Sequence, residues 1–250
     1  MNTRYSRNRI YIDSEEQDTI KNTPILIGGC GIGSIIAECA LRMGFETITI
    51  VDGDTVTLPN LNRENYTEED IGTEKAEALK KRLLSVNPEA TINVHNCFIT
   101  EDNIESIIGN HKIAINALDF TSDIPLKFDS ICVDKGILVL HPYNLGWGAL
   151  VAVISPESLT LNSIAKEEEN FNEVKMVEYA IGYMEFWGSP QKWIKEIITE
   201  IENETDDLPS PQLSVASWLL ASMCTHILFN IATEKPIKEF PEFYLSTINN

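Results

Sequence analysis

Pro24-Ile-Leu-Ile-Gly-Gly-Cys-Gly-Ile-Gly-Ser34 joins a short apolar run to a turn rich in glycine. The apolar run predicts a buried strand, and apolar residues at helical spacing over 35–43 predict a helix that begins near Ser34. Glycines between a strand and a helix let the backbone approach a phosphate, and the free N–H groups at the helix start attract negative charge. The stretch therefore predicts a phosphate-binding turn. Its glycines are Gly28, Gly29, Gly31 and Gly33.

The turn departs from the dinucleotide fingerprint G-x-G-x-x-G. If the motif starts at Gly28, Cys30 occupies the position of its second glycine. If the motif starts at Gly29, Ser34 occupies the position of its last glycine. A second apolar run, 47–51, ends at Asp52, about 20 residues past the glycines, where a ribose-binding carboxylate is expected. These residues favour a mononucleotide such as ATP over NAD.

Charge is spread unevenly along the 250 residues, whose formal net charge is −19. Residues 1–82 carry ten Lys and Arg against 14 Asp and Glu, whereas residues 83–250 carry nine against 24. Half of the cations therefore lie in the third of the chain that holds the glycine turn, which suits a local phosphate site. A chain without a basic face is not expected to bind DNA or an anionic membrane.

Five scattered cysteines form no C-x-x-C pair. We therefore expect no zinc site, no disulfide framework and a reducing compartment. The first residues lack the apolar core of a signal peptide, so a cytoplasmic location is expected. The stretch 208–233 has no charged residue but contains two prolines and four serines, which favours a buried helix over a membrane span.

Strands alternate with helices, which predicts an α/β fold with a doubly wound, mostly parallel, Rossmann-like sheet. Thr73 is the expected N-cap of the third helix, and Pro59 excludes a regular helix in the loop that precedes it. We predict a single domain over 1–250, divided into an N-terminal arm (1–22), a nucleotide-binding core (23–155), an acidic helical insertion (156–208) and a C-terminal helix and strand (209–250). The core's remaining predicted strands are 91–94, 113–118, 137–141 and 147–154, and its remaining helices are 101–108 and 124–135.

Several short motifs occur in an order that resembles the E1-like (ThiF–MoeB–HesA) superfamily of ATP-dependent adenylyltransferases. The similarity extends from residue 4 to about residue 155, and the late apolar helix near 214–231 resembles the last helix of that family. The motifs are Arg4-Tyr-Ser-Arg7, the glycine turn, Asp52-Gly-Asp54, Asn60-Leu-Asn-Arg63-Glu64, Lys75 and Asp119.

The resemblance implies a role for each matched residue. Gly28, Gly31 and Gly33 would form the nucleotide turn, and Asp52 and Asp54 would lie at the ribose. Asn60, Arg63 and Lys75 would bind the phosphates, and Asp119 would hold Mg²⁺. Arg7 would reach the ATP of a partner subunit, which implies a homodimer. The catalytic residues expected on this basis are Arg63, Lys75, Asp119 and Arg7.

Two departures from the family leave the substrate open. The paired C-x-x-C zinc motifs of sulfur-carrier activators are absent, and so is a cysteine between Cys132 and Cys224, where ubiquitin-type activators place a nucleophile. We therefore expect the reaction to stop at the acyl-adenylate, and Cys30, at the turn, to be a tolerated small residue rather than a nucleophile. Cys39 and Cys224 are both expected to be buried.

The expected function is ATP-dependent adenylylation of the C-terminal carboxylate of a small ubiquitin-like or sulfur-carrier protein, or of a peptide. The alternatives are a non-catalytic nucleotide-binding scaffold of the same fold, a tRNA-base dehydratase of the same superfamily, and an NAD-dependent oxidoreductase. The excess negative charge beyond residue 82 makes tRNA the less favourable substrate.

Overall fold

A computed structural model describes residues 3–165, 171–204 and 209–248. Residues 166–170 and 205–208 of the predicted acidic insertion lie outside this description. The strands are β1 (Ile25–Gly28), β2 (Thr47–Val51), β3 (Thr91–His95), β4 (Ile113–Asn116), β5 (Leu138–Asn144), β6 (Gly148–Ile154) and β7 (Phe243–Thr247). The helices are α1 (Ser14–Lys21), α2 (Ile32–Met43), α3 (Lys75–Val86), α4 (Ile104–Ile108), α5 (Ile124–Asp134), α6 (Glu173–Phe186), α7 (Lys192–Glu202) and α8 (Ser214–Ala232).

One seven-stranded sheet has the order β3-β2-β1-β4-β5-β6-β7. The strands from β3 to β5 are parallel, and β6 and β7 add to the sheet as antiparallel strands. The chain moves outward in one direction from β1 to β3 and in the other from β4 onward. The predicted doubly wound, mostly parallel sheet is confirmed. Its switch point lies between β1 and β4, where a crevice forms at the carboxyl ends of the strands.

Helices cover both faces of the sheet, which explains why the central strands are apolar throughout. On one face, α2, α3 and α8 pack against the sheet around residues such as Ile27, Ile50 and Leu228. On the other face, α4, α5 and α6 pack around residues such as Val51 and Phe128. The central strands therefore contribute alternate side chains to two separate cores, whereas the edge strand β3 contributes only to the first.

The helix α8 is, among the described residues, the one helix long and apolar enough to span a membrane. It packs against α2, β5 and β6, and about half of it is buried. Its buried positions include Leu220, Cys224 and Leu228, which recur at a spacing of four residues and face the core. This helix forms part of the core, as the prolines before it and the serines within it predict.

Several predicted boundaries differ from the structure. Glu74, rather than Thr73, is the N-cap of α3, because the backbone at this point is held in extended pairing with the loop after β2. The short helix predicted from residue 101 begins at Ile104, and the residues before it form a turn in which Oδ1 of Asn103 accepts the Thr100 N–H. Pro59 lies in the first turn of a short 3₁₀ helix, Leu58–Asn62, where its missing N–H costs no hydrogen bond.

Candidate nucleotide site

A cavity of about 400 Å³ opens at the carboxyl ends of β1, β2 and β4. It lies at the switch point of the sheet, where doubly wound folds bind their ligands. Most of the predicted site residues come together here although they are spread over almost 90 positions of the chain. Those that line the cavity are Gly31, Asp52, Asp54, Asn60, Arg63, Lys75 and Asp119.

The glycine turn needs glycine for two separate reasons. Gly29 has a φ of +88°, and a Cβ there would lie 2.3 Å from the carbonyl oxygen of Ala117. A Cβ at Gly33 would lie 2.7 Å from Cγ2 of Ile27, so this glycine lets α2 pack closely on β1. Gly28 belongs to the strand itself, and neither Gly28 nor Gly33 lines the cavity. These two residues shape the turn, whereas Gly31 faces the cavity directly.

The start of α2 points its free N–H groups toward the cavity. Gly31 is the N-cap, and no side chain caps this helix. The first N–H groups of a helix have no partner within the helix, and they carry the positive end of its dipole. Because Gly31 has no side chain, an anion can approach these groups closely. The turn therefore has the geometry of a phosphate site.

Asp52 links the glycine turn to the loop that follows β2. Its Oδ2 accepts the Cys30 N–H at 2.6 Å, and its Oδ1 accepts the Asp54 N–H at 2.7 Å. A carboxylate has about four acceptor positions, so two remain for a ligand. The side chain thus fixes the backbone of both loops and can still accept hydrogen bonds from hydroxyl groups of a ligand in the cavity.

Lys75 occupies the first turn of α3 and is 7% exposed. Its Nζ lies 3.3 Å from Oε2 of Glu64 and 3.9 Å from Oδ2 of Asp54. A lysine this deeply buried requires a carboxylate partner, because an unpaired charge in such a place is costly to desolvate. The ammonium group is therefore held at the edge of the cavity.

The guanidinium group of Arg63 is held by one residue of its own loop and by one residue far away in the sequence. Its Nε donates to Oε1 of Gln212 at 2.6 Å, and its Nη1 donates to the carbonyl oxygen of Pro59 at 3.0 Å. Asn60 donates from Nδ2 to Oε1 of Glu64 at 3.0 Å, and that carboxylate also lies 3.5 Å from Nη2 of Arg63. Arg63 and Gln212 both line the cavity.

A second cavity of about 430 Å³ adjoins the first. Asp119, Arg63 and Gln212 line both, so the two spaces meet at these side chains. Glu173 of α6 lines the second cavity and accepts the Phe120 N–H at 3.1 Å. Partial burial of Asp119 in the cleft, followed by the nearby charge of Glu173, raises the pKa of the Asp119 carboxyl.

The sequence model that describes the ThiF family matches residues 5–248 of this chain. The chain belongs to the ThiF family. The resemblance to E1-like adenylyltransferases predicted from the motifs is thereby confirmed, and the match extends beyond residue 155 through α8 and β7.

Curated relatives of this ThiF-family chain carry different names, and two of them come from the same organism. A tRNA threonylcarbamoyladenosine dehydratase of Bacillus subtilis (strain 168) is 32% identical over 130 residues, which cover 51% of this chain and 48% of the relative. The sulfur carrier protein ThiS adenylyltransferase of the same organism is 30% identical over 164 residues, which cover 63% of this chain and 48% of the relative. The chain spans half or less of the length of the curated relatives it matches, from 20% to 49%.

Solved structures share the fold of this ThiF-family chain at low identity. The crystal structure of E. coli MccB with ATP has a TM-score of 0.71 at 18% identity and covers 99% of this chain and 72% of MccB. The crystal structure of PaaA has a TM-score of 0.67 at 17% identity and covers 94% of this chain and 64% of PaaA. Both likenesses concern the fold.

Arg7 lies apart from the cavity of its own ThiF-family chain. It belongs to the 3₁₀ helix Thr3–Asn8, its side chain is exposed, and it is not among the residues that line either cavity. The structure of the single chain therefore brings together the predicted site residues other than Arg7, Gly28 and Gly33. The role of Arg7 in a partner's site stays a prediction.

The cysteines of this ThiF-family chain differ in their access to the site. Cys30 is fully buried, and burial together with the charge of Asp52 raises the pKa of its thiol. Burial also raises the pKa of Cys132 and of Cys224. Cys39 was expected to be buried and is partly exposed instead, because it lies at the border between α2 and α8. Since the thiolate is the nucleophile, none of these four thiols is activated.

Glu64 and Gln212 are residues of the site to which the sequence analysis assigned no role. Glu64 is the last residue of the motif Asn60-Leu-Asn-Arg63-Glu64, and its position next to Arg63 is the signal in the sequence that points to the site. Gln212 lies 149 residues from Arg63 in an uncharged stretch, where no local pattern marks it. Only the packing of that stretch across the end of the sheet reveals its contact.

Proposed function

We propose that this chain is an ATP-dependent adenylyltransferase that activates the C-terminal carboxylate of a small ubiquitin-like or sulfur-carrier protein, or of a peptide. The observation that carries the proposal is the pair of adjoining cavities that meet at Arg63 and Asp119. One cavity has a helix start and two cations suited to phosphates, and the other offers space for an acyl group. Relatives named as adenylyltransferases support the same reaction type.

In the proposed reaction an oxygen of the substrate carboxylate attacks the α-phosphorus of ATP, and the bond to pyrophosphate breaks. The protein supplies position and charge, because adenylyl transfer develops negative charge on phosphate oxygens. Arg63 offers a planar set of donors, and Lys75 offers a compact charge at the start of α3. The N–H groups at the start of α2 complete the phosphate cradle.

Asp119 is the residue proposed to hold Mg²⁺. Its carboxylate is exposed to the shared part of the two cavities, and the described residues contain no group of three possible metal ligands. A single carboxylate suits Mg²⁺, which keeps several waters and is completed by substrate phosphates. When bound, Mg²⁺ would neutralise charge on the phosphate oxygens.

A tRNA-base dehydratase is the second candidate function. Two relatives that carry this name, from Bacillus subtilis and Escherichia coli, are 32% and 34% identical over the matched parts. Against it stands the net negative charge beyond residue 82, since RNA binding needs a basic surface. Both candidates predict an ATP site, and they differ in the acceptor.

The nucleotide preference tests the proposal. We expect calorimetric titration to show binding of ATP that is strengthened by Mg²⁺, together with little affinity for NAD. The physical reason is that Arg63 and Lys75 suit a triphosphate, whereas Cys30 and Ser34 interrupt the dinucleotide fingerprint. Titration in the presence of a chelator is the control for the metal. Tighter binding of NAD than of ATP with Mg²⁺ would support an oxidoreductase instead.

Arg7 leads to a proposal about assembly. We expect a homodimer in which Arg7 of each subunit completes the site of the other. If so, mixing Arg7→Ala with Asp119→Ala should restore ATP–pyrophosphate exchange, because random exchange in a two-fold dimer leaves about one site in four intact. Arg9→Ala, two residues away and also exposed, is the matched control and should stay active alone. No recovery in a mixture whose subunits demonstrably exchange contradicts the proposal.

A further inference from the structure

Glu64 lies buried between the two cations of the candidate nucleotide site. Glu64 is 8% exposed, and its Oε2 lies 3.3 Å from Nζ of Lys75. Its Oε1 accepts a hydrogen bond from Asn60 and lies 3.5 Å from Nη2 of Arg63. A Cβ at Gly31 would lie 3.4 Å from the same Oε1. The carboxylate therefore stands against the start of α2, where the site is best suited to a phosphate.

The hydrogen bonding of this carboxylate is incomplete. Oε2 is buried and has no hydrogen-bond partner, although Lys75 lies within ion-pair distance. The ion pair with Lys75, rather than a well-directed hydrogen bond, therefore compensates the negative charge on this oxygen. Burial raises the pKa of Glu64, while the charges of Lys75 and Arg63 act in the opposite direction.

Charged and titratable groups reach Glu64 from several elements. Lys75 comes from α3 and Arg63 from the end of the short helix 58–62. Asp52 at the end of β2 adds a like charge that raises the pKa of Glu64 further. The remaining neighbours are the buried thiol of Cys30 in the glycine turn, the buried hydroxyl of Tyr66, and Asp54 beside Lys75.

We propose that Glu64 is the internal counter-ion of Lys75 and Arg63 in the free protein, and that nucleotide phosphate replaces it in this role while Glu64 takes up a proton. The inference rests on the proposed nucleotide binding. Two anions cannot both be neutralised by the same pair of cations in a desolvated site, so one of them must lose its charge or leave. The proton comes from solvent and adds to a carboxylate oxygen, and no bond to the nucleotide forms.

The direction of the pH dependence follows from the charges. Phosphate beside Glu64 raises the pKa of the carboxyl in the complex above its value in the free protein, which burial has already raised. Between these two pKa values binding is accompanied by proton uptake, and affinity rises as the pH falls through this window. Above this pH window Glu64 is ionised in both states, and its charge lowers the affinity for the nucleotide fully. Below the window Glu64 is protonated in both states and no longer lowers the affinity.

The test is calorimetric titration of the full chain with ATP and Mg²⁺ in two buffers of equal pH and different ionisation enthalpy. The variant is Glu64→Gln, and the matched control is Glu77→Gln, which makes the same change on an exposed residue of α3. We expect greater proton uptake in the wild type and in Glu77→Gln than in Glu64→Gln. Above the pH window in which Glu64 titrates, we expect Glu64→Gln to bind ATP with Mg²⁺ about tenfold more tightly than the wild type does, because the substitution removes a nearby like charge.

Three outcomes contradict the inference. Equal proton uptake in all three proteins would overturn it, and so would weaker binding by a folded Glu64→Gln variant. If that variant does not fold, the affinity of the wild type for ATP with Mg²⁺ is measured as the pH is lowered, and an affinity that rises at no pH overturns the inference equally. Binding without proton linkage leaves the proposed function standing, whereas no binding of ATP to any of the proteins overturns both.

Discussion

Asp119→Asn is expected to lower ATP–pyrophosphate exchange by about 10²–10³-fold, the usual cost of removing one group that stabilises developing charge. The substitution keeps the shape of the side chain and removes its charge. Asp119 lies where the two cavities meet, so losing its charge removes the proposed Mg²⁺ ligand next to the reacting phosphate. Exchange of labelled pyrophosphate into ATP is the measurement, with a carboxylate substrate that the wild type activates.

Asp102→Asn serves as the control for this experiment. Asp102 is exposed in the turn before α4, so the same chemical change there should leave exchange unaffected. A folded Asp119→Asn protein with wild-type exchange would refute the metal assignment. Failure of every carboxylate tested to support exchange in the wild type would favour the nucleotide-binding scaffold.

Gly29→Ala is expected to cost more than about 3 kcal/mol of the free energy of unfolding, since a left-handed backbone conformation and a steric clash act together. At a φ of +88° any side chain is strained, and the new Cβ would lie 2.3 Å from the Ala117 carbonyl oxygen. Relief of the clash would separate the glycine turn from the end of β4. Denaturant unfolding measures the loss, and nucleotide titration should show weakened binding in whatever folds.

Gly72→Ala separates the two contributions. Gly72 has a similar φ of +83°, yet no atom lies within 4 Å of the position that a Cβ would take. This variant should lose only the conformational cost of about 1–2 kcal/mol. Equal losses in Gly29→Ala and Gly72→Ala would mean that close packing at the turn contributes nothing to stability.

The sequence by itself determined the elements that depend on local chemistry. The glycines, the apolar strand before them and the helical spacing after them predict the turn, because φ > 0 and hydrophobic periodicity are properties of neighbouring residues. The position of Asp52 follows from the length of the strand–helix–strand unit. The alternation of strands and helices predicts the parallel sheet, and the carboxyl ends of parallel strands meet at one edge. That is why residues as far apart as Asp52 and Asp119 could be assigned to one site.

Helix starts were less predictable than strands, for a physical reason. Thr73 has the side chain of a good N-cap, yet the helix starts one residue later because the Thr55–Glu74 bridge holds the backbone extended. The exposure of Cys39 likewise depends on how α8 crosses α2. Tertiary pairing overrides a local preference that amounts to about 1 kcal/mol.

Only the tertiary structure decided which partners surround the site. The hydrogen bond from Arg63 to Gln212 joins residues 149 positions apart. The charge of Glu173, which raises the pKa of Asp119, comes from α6, a helix that follows β6 in the sequence. Glu64 could be read as a surface acid in the motif, but the structure buries it between Lys75 and Arg63. Burial, pKa and ion pairing depend on what the rest of the chain places around a side chain, and a linear pattern does not contain that information.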